Sequence, residues 1–388
     1  MMPMEEHGGT PAPTSPVTVE PGDTITQPPA MTKTWHTFGG WYTDSARTVP
    51  AVFPVTVTAN VNLYARWILN TFTSIADVTS YLASLPANTV NNSASLAVNI
   101  SLGTMTAADS GWRQLLDAIN TSGKFVNLDL SSCTMSGTSF NPDSSVATGK
   151  DWFVSLVLPA AATSIEAGAI LDSTFGNFTN LTSVSGANIT TIGNYAFGSS
   201  YSTTSTISLQ SVNFPLVTSI DEGAFEGCTA LQSVNFPQVT SISSDAFGGC
   251  TSLQSAGFPQ VTTIGNRAFS RCTDLQSLNI PKVTRIFGYA FSSTGTATLS
   301  ITMGPTAPTL GENIFYGVTS AKTVMVNIPS GATGYTPFNG STVTVSGTNT
   351  AANWANGFRG GSWNGTTWES WGGTSGINQD ISVVIEQQ

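Results

Sequence analysis

Apolar residues return at fixed offsets every 22 residues across residues 209–291, where four units follow one another: LQSVNFPLVTSIDEGAFEGCTA, LQSVNFPQVTSISSDAFGGCTS, LQSAGFPQVTTIGNRAFSRCTD and LQSLNIPKVTRIFGYAF. Leu209, Leu231, Leu253 and Leu275 hold one phase, Phe214, Phe236, Phe258 and Ile280 a second, and Ile220, Ile242, Ile264 and Ile286 a third. The pairs Ala224-Phe225, Ala246-Phe247, Ala268-Phe269 and Ala290-Phe291 close each unit. A unit this short carries about seven apolar side chains that it cannot bury alone. A fixed period of this size therefore predicts a solenoid whose turns bury one another's apolar residues. Within a unit, Val212 and Phe214 alternate with Ser211 and Asn213, so the first pair faces inward and the second faces out of a parallel sheet. Pro215, Pro237, Pro259 and Pro281 end that strand, because proline donates nothing to the ladder. The VTSI run predicts a second extended stretch, and the Ala-Phe segment a tight helical turn on the outer side.

The pattern changes on either side of this block. Ser74-Ile75-Ala76-Asp77 reads as a capping-box helix start, with Val78, Tyr81, Leu82 and Leu85 on one face and Pro86 as its stop. Leu96, Val98, Ile100 and Leu102 alternate as a strand. Trp112, Leu115, Leu116 and Ile119 mark a second amphipathic helix that Gly123 caps, and Phe125, Val126, Leu128 and Leu130 form the next strand. This βα stretch stands where a solenoid needs a terminal unit over its first turn. Degenerate turns follow at residues 154–170 and at Leu181, Val184, Ile189, Ile192 and Ala196-Phe197. The spacing of 28 from Leu181 to Leu209 places a six-residue insertion around GSSYSTTSTIS. Leu299, Pro305, Leu310 and Phe315 keep the offsets of 6, 11 and 16 seen after Leu209. Val324, Val326 and Ile328 with Pro329 predict a last strand. The remaining tail is rich in Gly, Ser, Thr and Trp and ends in a strand-like DISVVIEQQ.

Ile264-Gly265-Asn266-Arg267-Ala268-Phe269 followed by Cys272 resembles the unit of the BspA-like leucine-rich repeat, and the 22-residue period lies in the leucine-rich-repeat range. The resemblance implies a leucine-rich-repeat coil on a cell-surface or secreted bacterial protein that binds host or matrix macromolecules, with no catalytic residues to carry over. Ahead of the βα stretch, short β-prone runs alternate with Pro/Gly turns and read as a small β-rich module. Gly8-Gly9-Thr10, Phe38-Gly39-Gly40-Trp41-Tyr42-Thr43-Asp44 and Val61-Asn62-Leu63-Tyr64-Ala65-Arg66-Trp67 resemble the Listeria-Bacteroides repeat, related to the internalin B-repeat. That resemblance implies a β-grasp-like module of a bacterial surface protein. Its opening strand belongs ahead of Gly8-Gly9, where only MMPMEEH stands, so the module is expected to be cut short at its start. The expected domains are a Listeria-Bacteroides-type module over 1–67, an α/β cap over 68–150, BspA-like repeats over 151–330 and a Gly/Trp-rich β-type region over 331–388.

Composition narrows the partners. Charged residues make up 9% of the 388, against roughly 25% in ordinary globular domains, so Ser, Thr, Asn, Gln and Gly solvate the surface. With 12 Lys and Arg and a net charge of −10, the chain lacks the basic stripe that a nucleic-acid partner requires. No apolar run is long enough to span a membrane. The start MMPMEEHGGTPAP has no apolar signal-peptide core, which conflicts with a surface location unless the chain begins inside a longer protein.

Few residues present themselves for chemistry. The only histidines are His7 and His36, neither beside a Ser or Cys motif, so neither a nucleophilic triad nor a metal site is expected, nor is a cofactor. Cys228, Cys250 and Cys272 keep the phase of the leucines. Stacked turns bring neighbouring Cα atoms within disulfide range, but three parallel thiols cannot all pair, and a buried thiol ladder is expected. Asp221-Glu222 and Asp245 occupy a variable solvent slot rather than an acid-base site. Trp41, Tyr42, Tyr64 and Trp67 are expected to pack the core of the small module. Trp354, Trp363, Trp368 and Trp371 are expected to cap the open solenoid end; a sugar-stacking platform is the alternative. The expected binding strip is the sheet face: Ser211, Asn213, Ser233, Asn235, Ser255, Ser277 and Asn279, with Gly257 in line and Gln210, Gln232, Gln254 and Gln276 beside it. These readings together point to a non-enzymatic surface or secreted protein that mediates adhesion or protein binding to a host or matrix protein. Glycan binding through the C-terminal tryptophans and a structural spacer are the other readings.

Overall fold

The computed structural model of the chain describes residues 4–5, 19–29, 31–59, 61–142, 145–146, 148–169, 173–198, 207–295, 298–317, 322–335, 342–345, 361–363, 368–370 and 381–387. It divides into two compact units, Met1–Phe72 and Thr73–Gln388.

In the first unit, Leu63–Leu69 is the central strand of a three-stranded sheet, antiparallel to His36–Tyr42 and parallel to Met4–Glu5. Met4–Glu5 is thus a two-residue strand ahead of Gly8-Gly9. Gly39-Gly40 forms a bulge between Phe38 and Trp41, and Gly40 takes φ +103°, a conformation open to glycine alone at little cost. The extra residue brings Phe38 and Trp41, three apart, to the same face, where their rings meet at 5.5 Å, while the buried Tyr42 points to the other. Met31, Trp41, Leu63 and Ala65 form the core, with Phe38, Phe53 and Trp67 packed on it. Tyr64 is half-buried. Thr24–Ile25 pairs antiparallel with Val55–Thr56.

The second unit is a parallel β-solenoid. It opens with two helices, α1 (Ile75–Ser84) and α2 (Gly111–Ser122). The Ser74 hydroxyl accepts from the Asp77 amide at 3.1 Å, and Gly123 closes α2 in the left-handed conformation, both where the sequence placed the caps. Each helix leads into a strand of the coil sheet. Ala94–Ala97, Val126–Asp129, Phe153–Val157, Ser183–Ser185 and Ser211–Asn213 lie side by side, all parallel. A second sheet takes over with Ser233–Asn235, Ser255–Gly257, Ser277–Asn279, Thr298–Thr302, Lys322–Ile328 and Ile381–Gln387, closed by Thr342–Val345 running antiparallel. The VTSI runs form a separate ladder of two-residue strands from Ser139–Phe140 to Thr309–Leu310. It is extended antiparallel by Gly361–Trp363 and Trp368–Ser370, in which Trp363 and Trp368 are paired.

Between the ladders runs a column of stacked phenylalanines. Phe175, Phe197, Phe225, Phe247, Phe269, Phe291 and Phe315 follow one another with ring centroids 4.5, 5.2, 5.2, 5.4, 5.8 and 5.4 Å apart. All are buried. Rings held at the rung spacing of a parallel sheet, about 4.8 Å, must stack offset, and the interplanar angles of 4° to 6° through Phe197, Phe225, Phe247 and Phe269 show that they do.

The Ala-Phe segment is not the helical turn that its spacing predicts. It is a chain of tight turns whose local bonds run from residue i to i+3, as in Cys228 N to Phe225 O at 3.1 Å. Alternate amides point instead at the next coil: Gly223 N donates to Ser244 O, Phe225 N to Ala246 O and Gly227 N to Gly248 O, at 3.0, 2.8 and 2.7 Å. Turning alternate amides outward requires positive φ at two columns: Gly223, Asp245, Arg267 and Tyr289, and then Gly227, Gly249, Arg271 and Ser293. The segment thus adds a third ladder where a helix would keep its bonds to itself.

One register also differs from the sequence reading. Ser300 pairs with Ser277 and Ile301 with Leu278, so Leu299 stands beside Gln276 rather than in the Leu275 column. The five-residue strand Thr298–Thr302 alternates throughout and buries Leu299, Ile301 and Met303. The regular coils instead enter their strand by a turn that buries the leucine three residues earlier. Leu310 and Phe315 keep their columns, opposite Ile286 and stacked on Phe291.

Candidate binding surface

The outward positions of the coil strands form a strip two side chains wide. Ser233, Ser255 and Ser277 are neighbours across one sheet, and Asn235, Gly257 and Asn279 form the adjoining row. Ser211 and Asn213 lie on the edge strand of the other sheet, opposite Ser183 and Ser185. The structure therefore groups Ser233, Asn235, Ser255, Ser277 and Asn279 on one sheet and sets Ser211 and Asn213 across the seam. The seam is crossed by Gln232 N donating to Gln210 O at 3.2 Å. All seven predicted residues are exposed except Ser255, which is half-buried. Their inward neighbours Val234, Ala256 and Leu278 are buried. A Cβ at Gly257 would sit 2.8 Å from Asn235 Oδ1, so that exposed amide would have to swing aside to admit one. The Asn235 amide leans across the gap.

Two threonine ladders escaped the sequence reading. Thr262 Oγ1 donates to Thr240 O and Thr284 Oγ1 to Thr262 O, each at 3.1 Å. Thr251 Oγ1 donates to Thr229 O and Thr273 Oγ1 to Thr251 O in the same way. Their signal was in plain view as the recurrent Val-Thr and Cys-Thr dipeptides. These hydroxyls are engaged with the coil before them, which distinguishes the Thr edges from the Ser/Asn strip.

The cysteines are buried and free. Cys250 and Cys272 donate their thiols to Phe225 O and Phe247 O at 3.2 and 3.1 Å, so each sulfur is tied to the backbone of the coil before it. Burial pushes the Cys228 thiol up to about 12 and Cys250 and Cys272 upward as well. Thr294 takes over the column after Cys272, buried, with its hydroxyl on Phe291 O at 3.0 Å.

The turn face gathers Glu222, Glu226 and Asp245. Burial, with Asp245 and Glu222 adding to it, raises Glu226 to about 7 despite Arg271. Burial also raises Asp245, against the pull of Arg267. Tyr195 donates to Glu222 Oε1 at 3.3 Å. Among the described residues no cluster of His, Cys, Asp and Glu could hold a metal ion. Gly8-Gly9-Thr10, the centre of the insertion before Ile207, Trp354 and Trp371 lie outside the described residues, and for Trp363 and Trp368 only the backbone is described.

Stacked parallel coils of near-constant period, each offering one outward strand, define the class: a leucine-rich-repeat solenoid. The family model described as the BspA type leucine rich repeat region matches residues 149–212 and 199–322 in 6 copies, and that of the Listeria-Bacteroides repeat domain matches residues 5–66. Residues 149–322 are thus BspA-type leucine-rich repeats, and residues 5–66 a Listeria-Bacteroides repeat. Among solved structures it is similar to a leucine-rich repeat protein from Bacteroides ovatus ATCC 8483, at 18% identity over 46% of this chain and 55% of that chain, with a TM-score of 0.29. The chain thus spans about half the length of that relative. No curated protein matches it. Repeats of these two kinds are those of surface and protein-interaction proteins, in which leucine-rich repeats typically serve as binding scaffolds. Among the described residues no helix is long and apolar enough to cross a membrane.

Proposed function

We propose that the chain is a non-enzymatic adhesion protein of the bacterial surface or secreted fraction, holding an extended host or matrix protein along its Ser/Asn strip. The observation that carries this reading is the strip itself: uncharged donors and acceptors on successive rungs, exposed apart from half-buried Ser255, over the buried Val234, Ala256 and Leu278. Such a surface offers hydrogen-bonding partners to the backbone of an extended segment, and its rigidity lowers the entropy lost on binding. Neutral groups also spare the interface the desolvation of charge.

The test is capture of a panel of extracellular-matrix proteins by the full chain and by the variant Ser233→Ala/Asn235→Ala/Ser277→Ala/Asn279→Ala. The expected result is capture of at least one panel member by the parent and about a tenfold loss in the variant, the equivalent of about 1.4 kcal/mol. Equal capture by the two proteins removes the strip from the reading.

A further inference from the structure

We propose that the solenoid carries a hinge between its coils 209–230 and 231–252, which opens on the side of the Ser/Asn strip and pivots on the turn face. The coil sheet ends at Ser211–Asn213 and a new one begins at Ser233–Asn235. At other junctions the residue after the strand donates to the next coil, as in Gly186 N to Asn213 O at 3.1 Å, Phe236 N to Gly257 O at 2.9 Å and Phe258 N to Asn279 O at 2.8 Å. Among the described residues the Phe214 amide makes no such bond. The bond that remains, Gln232 N to Gln210 O, is 3.2 Å long, against 2.8 and 2.9 Å for Gln254 N to Gln232 O and Gln276 N to Gln254 O. Val212 is half-buried, whereas Val184, Val234, Ala256 and Leu278 on the same side of the sheets are buried.

The next ladder round the coil is weakened without parting. Ser241 and Ile242 still pair with Ser219 and Ile220. Among the described residues, however, neither the amide nor the hydroxyl of Thr240 bonds to Thr218 O, and Ser243 N does not bond to Ile220 O. One coil further on those bonds are all made: Thr262 N and Oγ1 to Thr240 O at 2.8 and 3.1 Å, and Gly265 N to Ile242 O at 2.8 Å. On the turn face nothing is lost. Gly223, Phe225 and Gly227 donate across the junction, Cys250 Sγ reaches Phe225 O at 3.2 Å, and the Phe225 and Phe247 rings stack at 5.2 Å. The junction is therefore closed at the ring stack and slack at the strip.

In a stack whose coils bind only their neighbours, each junction has its own stability, and a junction with fewer backbone bonds opens at lower free energy than those beside it. Water reaching the slack side satisfies the amides that the neighbouring coil leaves unpaired, so opening there breaks little more than the Gln232 bond. Flexing changes the spacing of Asn213 and Asn235 across the seam, while Ser233, Asn235, Ser255, Ser277 and Asn279 move as one body on their own sheet. The hinge stands whether or not the strip binds a protein.

The test is residue-resolved hydrogen exchange of the full chain under conditions in which reclosing outpaces exchange. The repeats supply matched controls: Gln232, Gln254 and Gln276 each follow Leu and precede Ser, Phe225 and Phe247 each follow Ala, and Phe214 and Phe236 each follow Asn. Within each set the unprotected amides exchange alike, so any difference reports opening. The expected result is exchange of Gln232 about tenfold or more faster than Gln254 and Gln276, with Phe225 and Phe247 alike to within about threefold. Phe214 is expected to exchange about tenfold or more faster than Phe236. A rigid gap would leave Gln232 as slow as Gln254, which overturns the hinge. Equal protection of Phe214 and Phe236 overturns it too, as does exchange of Phe225 as fast as that of Gln232, which would mean parting without a pivot.

Discussion

Phe247 offers the sharpest test of the coil packing, because its ring is fully buried and stacked on both sides, 5.2 Å from Phe225 and 5.4 Å from Phe269. Phe247→Ala removes the ring outright and is expected to cost about 3–5 kcal/mol. Phe247→Leu keeps most of the apolar volume and loses two stacked pairs, each worth about 0.5–1.5 kcal/mol, so about 1–3 kcal/mol. The decisive measurement is a pair of double-mutant cycles in urea, followed by circular dichroism, with leucine at Phe225, Phe247 and Phe269. Phe225 and Phe247 touch and should couple by about 0.5–1.5 kcal/mol. Phe225 and Phe269 are two stacking steps apart, of 5.2 and 5.4 Å, and should add to within about 0.3–0.5 kcal/mol. That difference is the mark of a structure in which each turn touches only its neighbours. Coupling across the two steps as large as across one, or a Phe247→Leu that costs nothing, would refute the reasoning.

The thiols and the turn-face carboxylate give two more predictions. All 4 cysteines are buried and free, so a thiol reagent at pH 8 should leave the folded chain unlabelled over the time in which it modifies every cysteine in urea; labelling of the folded chain would contradict the ladder. Glu226 is raised from 4.5 to about 7 in the folded chain, so the folded state binds the proton more tightly than the unfolded one. Stability should therefore fall as pH rises from about 4.5 to 7, and urea midpoints of Glu226→Gln should fall less over that window than those of the parent.

The repeat architecture was legible because its columns are written in residue type. Leu, Phe and Ile held at a 22-residue period leave a coil little choice but to stack. The caps at Ser74 and Gly123 were legible for the same local reason. The Ala-Phe turn was misread because offsets of three and four suit a helix and a run of i to i+3 turns equally well. The distinguishing signal was Gly223, Gly227 and Gly249, which mark where φ must turn positive, although Asp245, Arg267 and Arg271 in the same columns disguise it. The strip was legible as far as alternation goes: period two settles which side chains face out. It could not show that the sheet divides between Ser211–Asn213 and Ser233–Asn235, because the six residues involved read SVN in both places. The setting of Arg47 was illegible for another reason. It depends on a bulge and on a loop that carries Arg47 to the carbonyl of Ala65, 18 residues away in sequence.

The reversal at the far margin of the seven-stranded sheet bears on how many copies can associate. A rod of interchangeable coils ends in a bare row of amides and carbonyls in parallel array, which any other copy's first coil is shaped to continue. Here Thr342–Val345 runs against Ile381–Gln387, so the terminal row presents the unevenly spaced groups of an antiparallel margin, out of step with a parallel coil. The backbone direction of four residues thus works against head-to-tail growth into filaments.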